Sequence, residues 1–322
     1  MLPVLWSRFF RKRGSRQCGV TAIAFAKGGI CLANVRVTGP GEASLHYCGF
    51  SPCVEDDRGG ELAALVKALG LSGSYGRLVL NQSDYRMFQT PAPEVPLSEV
   101  REALRWRLQE LLDFPAEEAE IEYFPIPNPQ QSGRGDMVNA VICRKSLLEY
   151  YSALCKGAGL ELDVVDIREL ALRNLALRLP ESDRGVALLY LEDARGMLHI
   201  QKGNMLYISR ALDFGVRQME SVLADGEYDY GEGIISRLAL EIQRSLDYYE
   251  SHFGMPPIAG LVLAPIKDNA QALADRLIQA LGVMNRIMDV STLIHCRERL
   301  DDLTQQQCLP AIGAALRRTS GA

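Results

Sequence analysis

The order of apolar and polar positions along the chain predicts alternating strands and helices. Apolar runs bounded by glycine predict strands, and apolar residues spaced three and four apart predict helices. A first group has three meandering strands, a helix and two short strands, at 18–26, 30–37, 44–50, 61–69, 77–80 and 85–89. A later group has three strands, a long helix, a strand and a helix, at 186–191, 197–201, 206–210, 234–253, 261–264 and 268–281.

A third group lies between these two and follows the proline-rich connector at 91–96. It has a helix, two strands, a helix, a strand and a helix, at 98–112, 120–124, 137–143, 147–158, 160–167 and 168–179. The outer groups begin in the same order, which predicts a duplicated α/β fold with a small inserted α+β subdomain. The predicted segments are a leader at 1–17, a first lobe at 18–96, the insertion at 97–180 and a second lobe at 185–304. A C-terminal segment at 305–322 contains a final helix at 309–318, which we expect to return to the first lobe. We expect 226–233 to be an acidic loop.

Net charge and the length of the apolar runs narrow the functional classes. The 322 residues carry a formal charge of −5, so the chain as a whole lacks the basic field that nucleic-acid binding requires. No apolar run approaches the roughly 20 residues that a membrane-spanning helix needs. Arginines interrupt the apolar residues of the leader, so no secretory signal is evident. We therefore expect a cytoplasmic protein.

Side chains with metal-binding or catalytic chemistry are present without the spacing that such chemistry needs. The eight cysteines include no Cys-x-x-Cys pair, which favours buried free thiols. The four histidines lack ligand spacing, and His199 in a predicted strand is more simply structural. Gly231-Glu232-Gly233 follows an acidic segment and not an apolar strand, which argues against phosphate binding. We expect no metal site.

Three segments carry a family resemblance. The first reads Val-Arg-Glu-Ala-Leu-Arg-Trp at 100–106 and continues with Leu-Asp-Phe-Pro at 112–115. The others read Leu-Glu-Ile-Gln-Arg-Ser-Leu-Asp-Tyr-Tyr at 240–249 and Leu-Pro-Ala-Ile-Gly-Ala-Ala-Leu-Arg at 309–317. Together they resemble the PilM-type pilus assembly proteins of the actin-like ATPase superfamily, over 18–318. The resemblance implies an actin-like (ribonuclease H-like) two-lobed α/β fold with an inserted α+β subdomain.

The resemblance also identifies three nucleotide-binding turns. Actin-like ATPases carry an Asp-x-Gly turn after the first strand of each half, for magnesium and phosphate, and a Gly-Gly turn for adenosine. The matching positions here are Ala24 and Ala26, Tyr190 and Glu192, and Ala264 and Pro265. Carboxylates at Glu192 and Asp193 would repel a triphosphate by about 1 kcal/mol per close pair even in water. We expect a vestigial site with no cofactor and no ATP hydrolysis.

The function implied by the resemblance is a non-catalytic scaffold beneath the inner membrane, in a type IV pilus assembly platform of the MSHA class. Its partner would be the cytoplasmic tail of a PilN-like inner-membrane protein, bound in a cleft between the first lobe and the insertion. Other platform proteins would be further partners. The alternatives are an active actin-like ATPase that uses ATP and Mg²⁺, and a cytoplasmic scaffold of type II secretion.

The leader is basic and amphipathic. Its candidate membrane-surface residues are Trp6, Arg8, Phe9, Phe10, Arg11, Lys12 and Arg13. Such a segment can lie on an anionic membrane surface, with its aromatic rings inserted shallowly. The alternatives are a leader without fixed structure and one that packs on the protein core.

Overall fold

The computed structural model describes residues 6, 19–39, 42–128, 136–219 and 228–317. The chain forms two compact units. One comprises Met1–Ala171 and Pro310–Ala322, and the other comprises Leu172–Leu309. The chain passes from one unit to the other within two helices, Arg168–Ala176 and Asp302–Ala315.

The first unit is built on a sheet whose central strands are buried on both faces. Its strands are β1 (Val20–Ala26), β2 (Gly29–Gly39), β3 (Glu42–Pro52), β4 (Tyr75–Leu80) and, after the insertion, β8 (Glu161–Ile167). They lie in the order β3-β2-β1-β4-β8. The meander β1-β2-β3 is antiparallel, whereas β4 runs parallel to both β1 and β8. Parallel strands are covered on both faces, and β4 and β8 are buried at every position after their first.

Helices α1 (Arg58–Ala68) and α3 (Lys145–Gly157) pack against each other in this unit. A Cβ added at Gly59 of α1 would lie 3.0 Å from Leu154 of α3, so glycine permits the close contact. Helix α4 (Arg168–Ala176) follows β8 directly.

The inserted module is a three-stranded antiparallel sheet with one helix. Its elements are β5 (Tyr85–Pro91), α2 (Val100–Leu108), β6 (Ala119–Ile126) and β7 (Met137–Arg144). The strand order is β5-β7-β6. Val100, Leu104 and Leu108 lie on one face of α2 and join a core with apolar residues of β6 and β7.

Strand pairing corrects the sequence boundaries of this module. We expected the insertion at 97–180, but β5 pairs with β7 from Tyr85 to Pro91 and therefore belongs to it. Conversely, β8 pairs with β4 in the large sheet. The error has a physical cause, because strand partners are chosen by contacts far apart in sequence, whereas the prolines at 91–96 only mark a local break.

The second unit repeats the sheet topology of the first. Its strands are β9 (Val186–Leu191), β10 (Gly196–Lys202), β11 (Met205–Leu212), β12 (Gly260–Leu263) and β13 (Asn285–Ile287). Their order is β11-β10-β9-β12-β13, with β12 parallel to β9 and β13 and the other pairs antiparallel. The two sheets therefore match strand for strand, and the predicted duplicated α/β fold is confirmed.

The remaining elements are α5 (Tyr228–Phe253), α6 (Ala270–Leu281), β14 (His295–Cys296) and α7 (Asp302–Ala315). Helix α5 begins at Tyr228, so the loop expected at 226–233 is wrong for residues 228–233. The final helix begins seven residues before its predicted start, because Asp301 caps it by accepting hydrogen bonds from the Thr304 amide (2.8 Å) and hydroxyl (2.9 Å). No helix in the described part of the chain combines the length and apolar character needed to span a bilayer.

Buried arginines hold the C-terminal segment on the first unit. Arg77 of β4 donates from Nη1 to the carbonyl oxygens of Ala314, Ala315 and Arg317, at 2.9, 3.1 and 2.6 Å. The last carbonyls of a helix have no intrahelical partner and form the negative end of its dipole, so a cation suits them. Arg317 in turn donates to Asp166 at 2.7 Å, with both side chains fully buried.

We predict that Arg317→Ala lowers the free energy of unfolding by about 3–5 kcal/mol, because it leaves the Asp166 carboxylate buried without its cation. Urea unfolding followed by circular dichroism measures the change. The double variant Asp166→Leu/Arg317→Met is the control and should recover most of the loss, because it removes both charges. Equal destabilisation of the single and double variants would contradict this account of the ion pair.

Candidate functional site

The first of the three turns is a closed two-residue hairpin. The β1–β2 ladder runs to the pair Ala26–Gly29, which leaves only Lys27 and Gly28 in the turn. Gly28 has a φ of +78°, a conformation that glycine adopts without steric cost. Ala24 and Ala26 are half-buried methyl side chains at the positions where the family pattern needs a carboxylate and a glycine. Neither can hold the hydration shell of Mg²⁺.

Arg58, at the start of α1, contacts this hairpin. Its Nη2 lies 3.5 Å from the Ala26 carbonyl oxygen and 3.0 Å from Glu55 Oε1. Its guanidinium lies 5.3 Å from the centroid of the Phe25 ring. Asp57-Arg58-Gly59 is itself an Asp-x-Gly sequence, which comparison of the turns alone overlooked. It lies at the beginning of a helix and not after the first strand, and Asp57 is exposed there.

The second turn, between β9 and β10, is closed by its own backbone and by a neighbouring segment. The Glu192 amide donates to the Arg195 carbonyl at 2.8 Å, and the Val216 amide donates to the Glu192 carbonyl at 2.7 Å. A Cβ added at Gly215 would lie 2.5 Å from the Asp193 carbonyl oxygen, so the two segments approach as closely as glycine allows. These contacts occupy the turn with protein groups.

The two carboxylates that we expected to repel a triphosphate, Glu192 and Asp193, both have partners within the unit. Tyr190 is buried and donates its hydroxyl hydrogen to Glu192 at 3.3 Å. Asp193 forms an ion pair with Arg217 at 2.5 Å. The charge of Asp193 is therefore compensated within the unit.

The third turn follows β12 and borders a cavity of about 510 Å³. The Ala264 amide donates to the Leu189 carbonyl at 2.8 Å, Pro265 has no amide hydrogen, and the Lys267 amide donates to Gln306 Oε1 at 3.0 Å. These three positions therefore offer no amide to a ligand. The cavity is also lined by the first turn of α6, by Ile287 and Met288, and by Asp302.

Other candidate chemistry is structural. His199 in β10 is fully buried, and its Nε2 lies 2.6 Å from Gln201 Oε1. Burial lowers the pKa of His199 to about 4, against the opposing effect of the Gln201 hydrogen bond. No group of three histidine, cysteine or carboxylate side chains in the described ranges could hold a metal ion. None of the seven cysteines in those ranges forms a disulfide.

A polar junction joins helices α3 and α4 of the lobe to the start of the inserted module, and sequence reasoning did not find it. Tyr85, the first residue of β5, donates to Glu169 at 2.5 Å. Tyr151 of α3 donates to Asp84 at 3.0 Å, and its ring stacks on Phe25 with centroids 5.3 Å apart. Burial raises the pKa of Glu169, although the Tyr85 hydrogen bond opposes that shift. The junction fixes the first residue of the module against the first strand and the helices of the lobe.

The structure corrects one expectation about the leader. Trp6 is fully buried, so its indole is not exposed for insertion into a membrane surface. Arg8, Phe9, Phe10, Arg11, Lys12 and Arg13 lie outside the described residues.

Comparison with known proteins supports the fold. No protein-family profile and no curated protein matches the sequence. The chain is similar to the structure of a PilM–PilN type IV pilus biogenesis complex, with a TM-score of 0.67 and 20% identity over 92% of this chain and 97% of that one. It is also similar to a Bacteroides thetaiotaomicron protein with an actin-like ATPase fold and unknown function, with a TM-score of 0.50 and 11% identity over 90% and 95%. The chain therefore has a PilM-like, actin-like ATPase fold.

A further likeness is weaker. The cytoplasmic domain of EpsL, an inner-membrane component of the type II secretion system of Vibrio cholerae, gives a TM-score of 0.47 and 11% identity over 93% and 96%. That score is too low to support the type II secretion alternative.

We predict that this chain neither hydrolyses Mg-ATP nor binds it tightly, because the first two turns lack the Asp-x-Gly carboxylates and the second and third turns have amides engaged with protein groups. Isothermal titration calorimetry should give heats equal to the dilution control, with and without Mg²⁺. A micromolar site that requires magnesium would contradict this prediction and would favour the ATPase alternative.

Proposed function

We propose that this chain is a non-catalytic scaffold of a type IV pilus assembly platform. The similarity to the PilM–PilN complex extends over almost the whole of both chains, which supports this class above other uses of the fold. The geometry of the turns supports the non-catalytic part of the proposal. Ala24 and Ala26 supply no metal-binding group, and the second and third turns use their amides internally.

The partner we propose is the cytoplasmic tail of a PilN-like inner-membrane protein, bound beside the junction between the first lobe and the inserted module. Strand β5 begins at this junction and is an edge strand of the three-stranded sheet. An edge strand presents unpaired amide and carbonyl groups that an extended peptide can pair with, while pockets take its apolar side chains. Phe88 and Ala92, partly buried against the core of the module, offer apolar surface along this edge.

The cellular setting we propose is the cytoplasmic face of the inner membrane, in a pilus of the MSHA class, because the chain resembles the MSHA pilus biogenesis protein MshI. The segments at 100–115, 240–249 and 309–317 support this assignment. Other proteins of the platform would bind the same scaffold. The basic leader would add peripheral contact with anionic lipid through its charges, since Trp6 is buried.

We predict that a synthetic peptide from the cytoplasmic N-terminus of the adjacent PilN-like protein binds the full chain. Hydrogen–deuterium exchange should show slower exchange in β5 (Tyr85–Pro91), because augmentation of the edge adds hydrogen bonds to its amides. A scrambled peptide of the same composition is the control. Protection confined to 185–304, or equal protection by the scrambled peptide, would remove the module edge from the mechanism.

We predict that the leader binds anionic vesicles through its charges, without insertion of Trp6. Replacement of Arg8, Arg11, Lys12 and Arg13 by glutamine should abolish co-sedimentation at low salt, because each cation contributes about 1 kcal/mol near such a surface. The sequence has two tryptophans, so Trp106→Phe leaves Trp6 as the sole tryptophan, whose emission can be excited selectively. Its emission should not shift when vesicles are added. A red or blue shift on binding would show that Trp6 leaves its buried position.

A further inference from the structure

The outer face of α2 carries an exposed tryptophan among carboxylates. Val100, Leu104 and Leu108 are buried on the inner face, whereas Trp106, on the opposite side, is 65% exposed. Residues 99, 102, 106 and 110 follow one another at spacings of three, four and four, which places them on one side of the helix and its continuation. We call this set, Glu99, Glu102, Trp106 and Glu110, the α2 stripe.

The segment around the stripe carries most of the net charge of the protein. Residues 92–118 hold seven carboxylates and three guanidinium groups, a net charge of −4, compared with −5 for the whole chain. The three arginines are engaged within the module. Arg101 pairs with Glu122 at 2.8 Å, Arg105 pairs with Glu102, and Arg107 donates to the Thr90 hydroxyl at 3.3 Å.

The two end members of the stripe remain uncompensated. In the described part of the chain, no ion pair is found for Glu99 or Glu110, and both residues are exposed. Their negative charges therefore face solvent on either side of the Trp106 indole. A tryptophan ring attracts a cation over its face, and flanking carboxylates strengthen the attraction.

Apolar surface accompanies the charge. Leu97 is 80% exposed shortly before α2, and Leu111 is 52% exposed just after it. Single exposed apolar residues are ordinary, and here three large ones lie within fifteen positions of one small module. Tryptophan is also the residue most enriched among those that dominate binding energy.

We propose that the α2 stripe docks a Lys/Arg-rich segment of another protein, with a cationic side chain over Trp106 and others beside Glu99 and Glu110. Charge complementarity fixes the chemistry of the occupant, because an acidic or purely apolar segment would leave these carboxylates uncompensated. This surface is distinct from the β5 edge, and the proposal does not depend on the partner tail assigned to that edge.

The probe is an acetylated 16-residue peptide of lysine and leucine at helical spacing, titrated into the full chain by calorimetry. A peptide with glutamate in place of every lysine is its control. Trp106→Ala should weaken binding at least about 10-fold, and Glu99→Gln/Glu110→Gln about 5-fold. Binding should also weaken with rising salt.

Matched variants on the other unit control for loss of exposed apolar area and of charge. Met284→Ala removes another highly exposed apolar side chain, and Glu250→Gln/Glu298→Gln removes two exposed carboxylates. Each should change the affinity less than 2-fold, and circular dichroism should show every variant folded.

Three results would overturn the proposal. The first is the absence of saturable binding of the lysine peptide. The second is an unchanged affinity in Trp106→Ala and in Glu99→Gln/Glu110→Gln. The third is tighter peptide binding when Arg8, Arg11, Lys12 and Arg13 are replaced by glutamine, since this would show that the leader of the chain itself occupies the stripe.

Discussion

The first unit depends on the hydrogen bonds that the buried guanidinium of Arg77 donates to the C-terminal segment. A single nitrogen meets three carbonyl oxygens at the end of α7, and Arg317 beyond them meets Asp166 at the end of β8. The N- and C-terminal parts of the chain are thereby joined across more than 230 residues. Removal of either Arg317 or Asp166 would leave the other charge buried without its partner, which destabilises the fold more than removal of both. The first unit is consequently complete only when the last residues of the chain are in place.

The existence of most elements could be predicted from the sequence, but their partners could not. The apolar run at 186–191 identifies a strand because both faces are buried, and that pattern is local. Assignment of β5 to the module and β8 to the large sheet depends on pairing with β7 and β4, and no local pattern records that pairing. The three-residue strand β13 was missed because it is too short to show any periodicity.

The residue types at the three candidate turns are evident from the sequence, but the contacts that these turns make are not. The sequence shows that Ala24 and Tyr190 stand where carboxylates would be needed. It does not show that Arg217 compensates Asp193, or that Gln306 takes the Lys267 amide, because these contacts join separate segments. Burial of Trp6 was likewise hidden, since an aromatic residue among arginines has the same pattern whether it faces a membrane or the protein.

The tyrosine–carboxylate junction links the fold to its proposed use. Tyr85 and Asp84 are consecutive, so one hydrogen bond to Glu169 and another from Tyr151 constrain the same point, where the chain leaves the large sheet. The Tyr85–Glu169 bond is buried and the Tyr151–Asp84 bond is partly buried, and for a buried group an unmade bond costs more than a made one gains. The inserted module therefore starts from a fixed point, so its β5 edge is held in place before any partner binds. A partner that adds to this edge meets a preformed surface, and the entropy cost of association falls mainly on the tail.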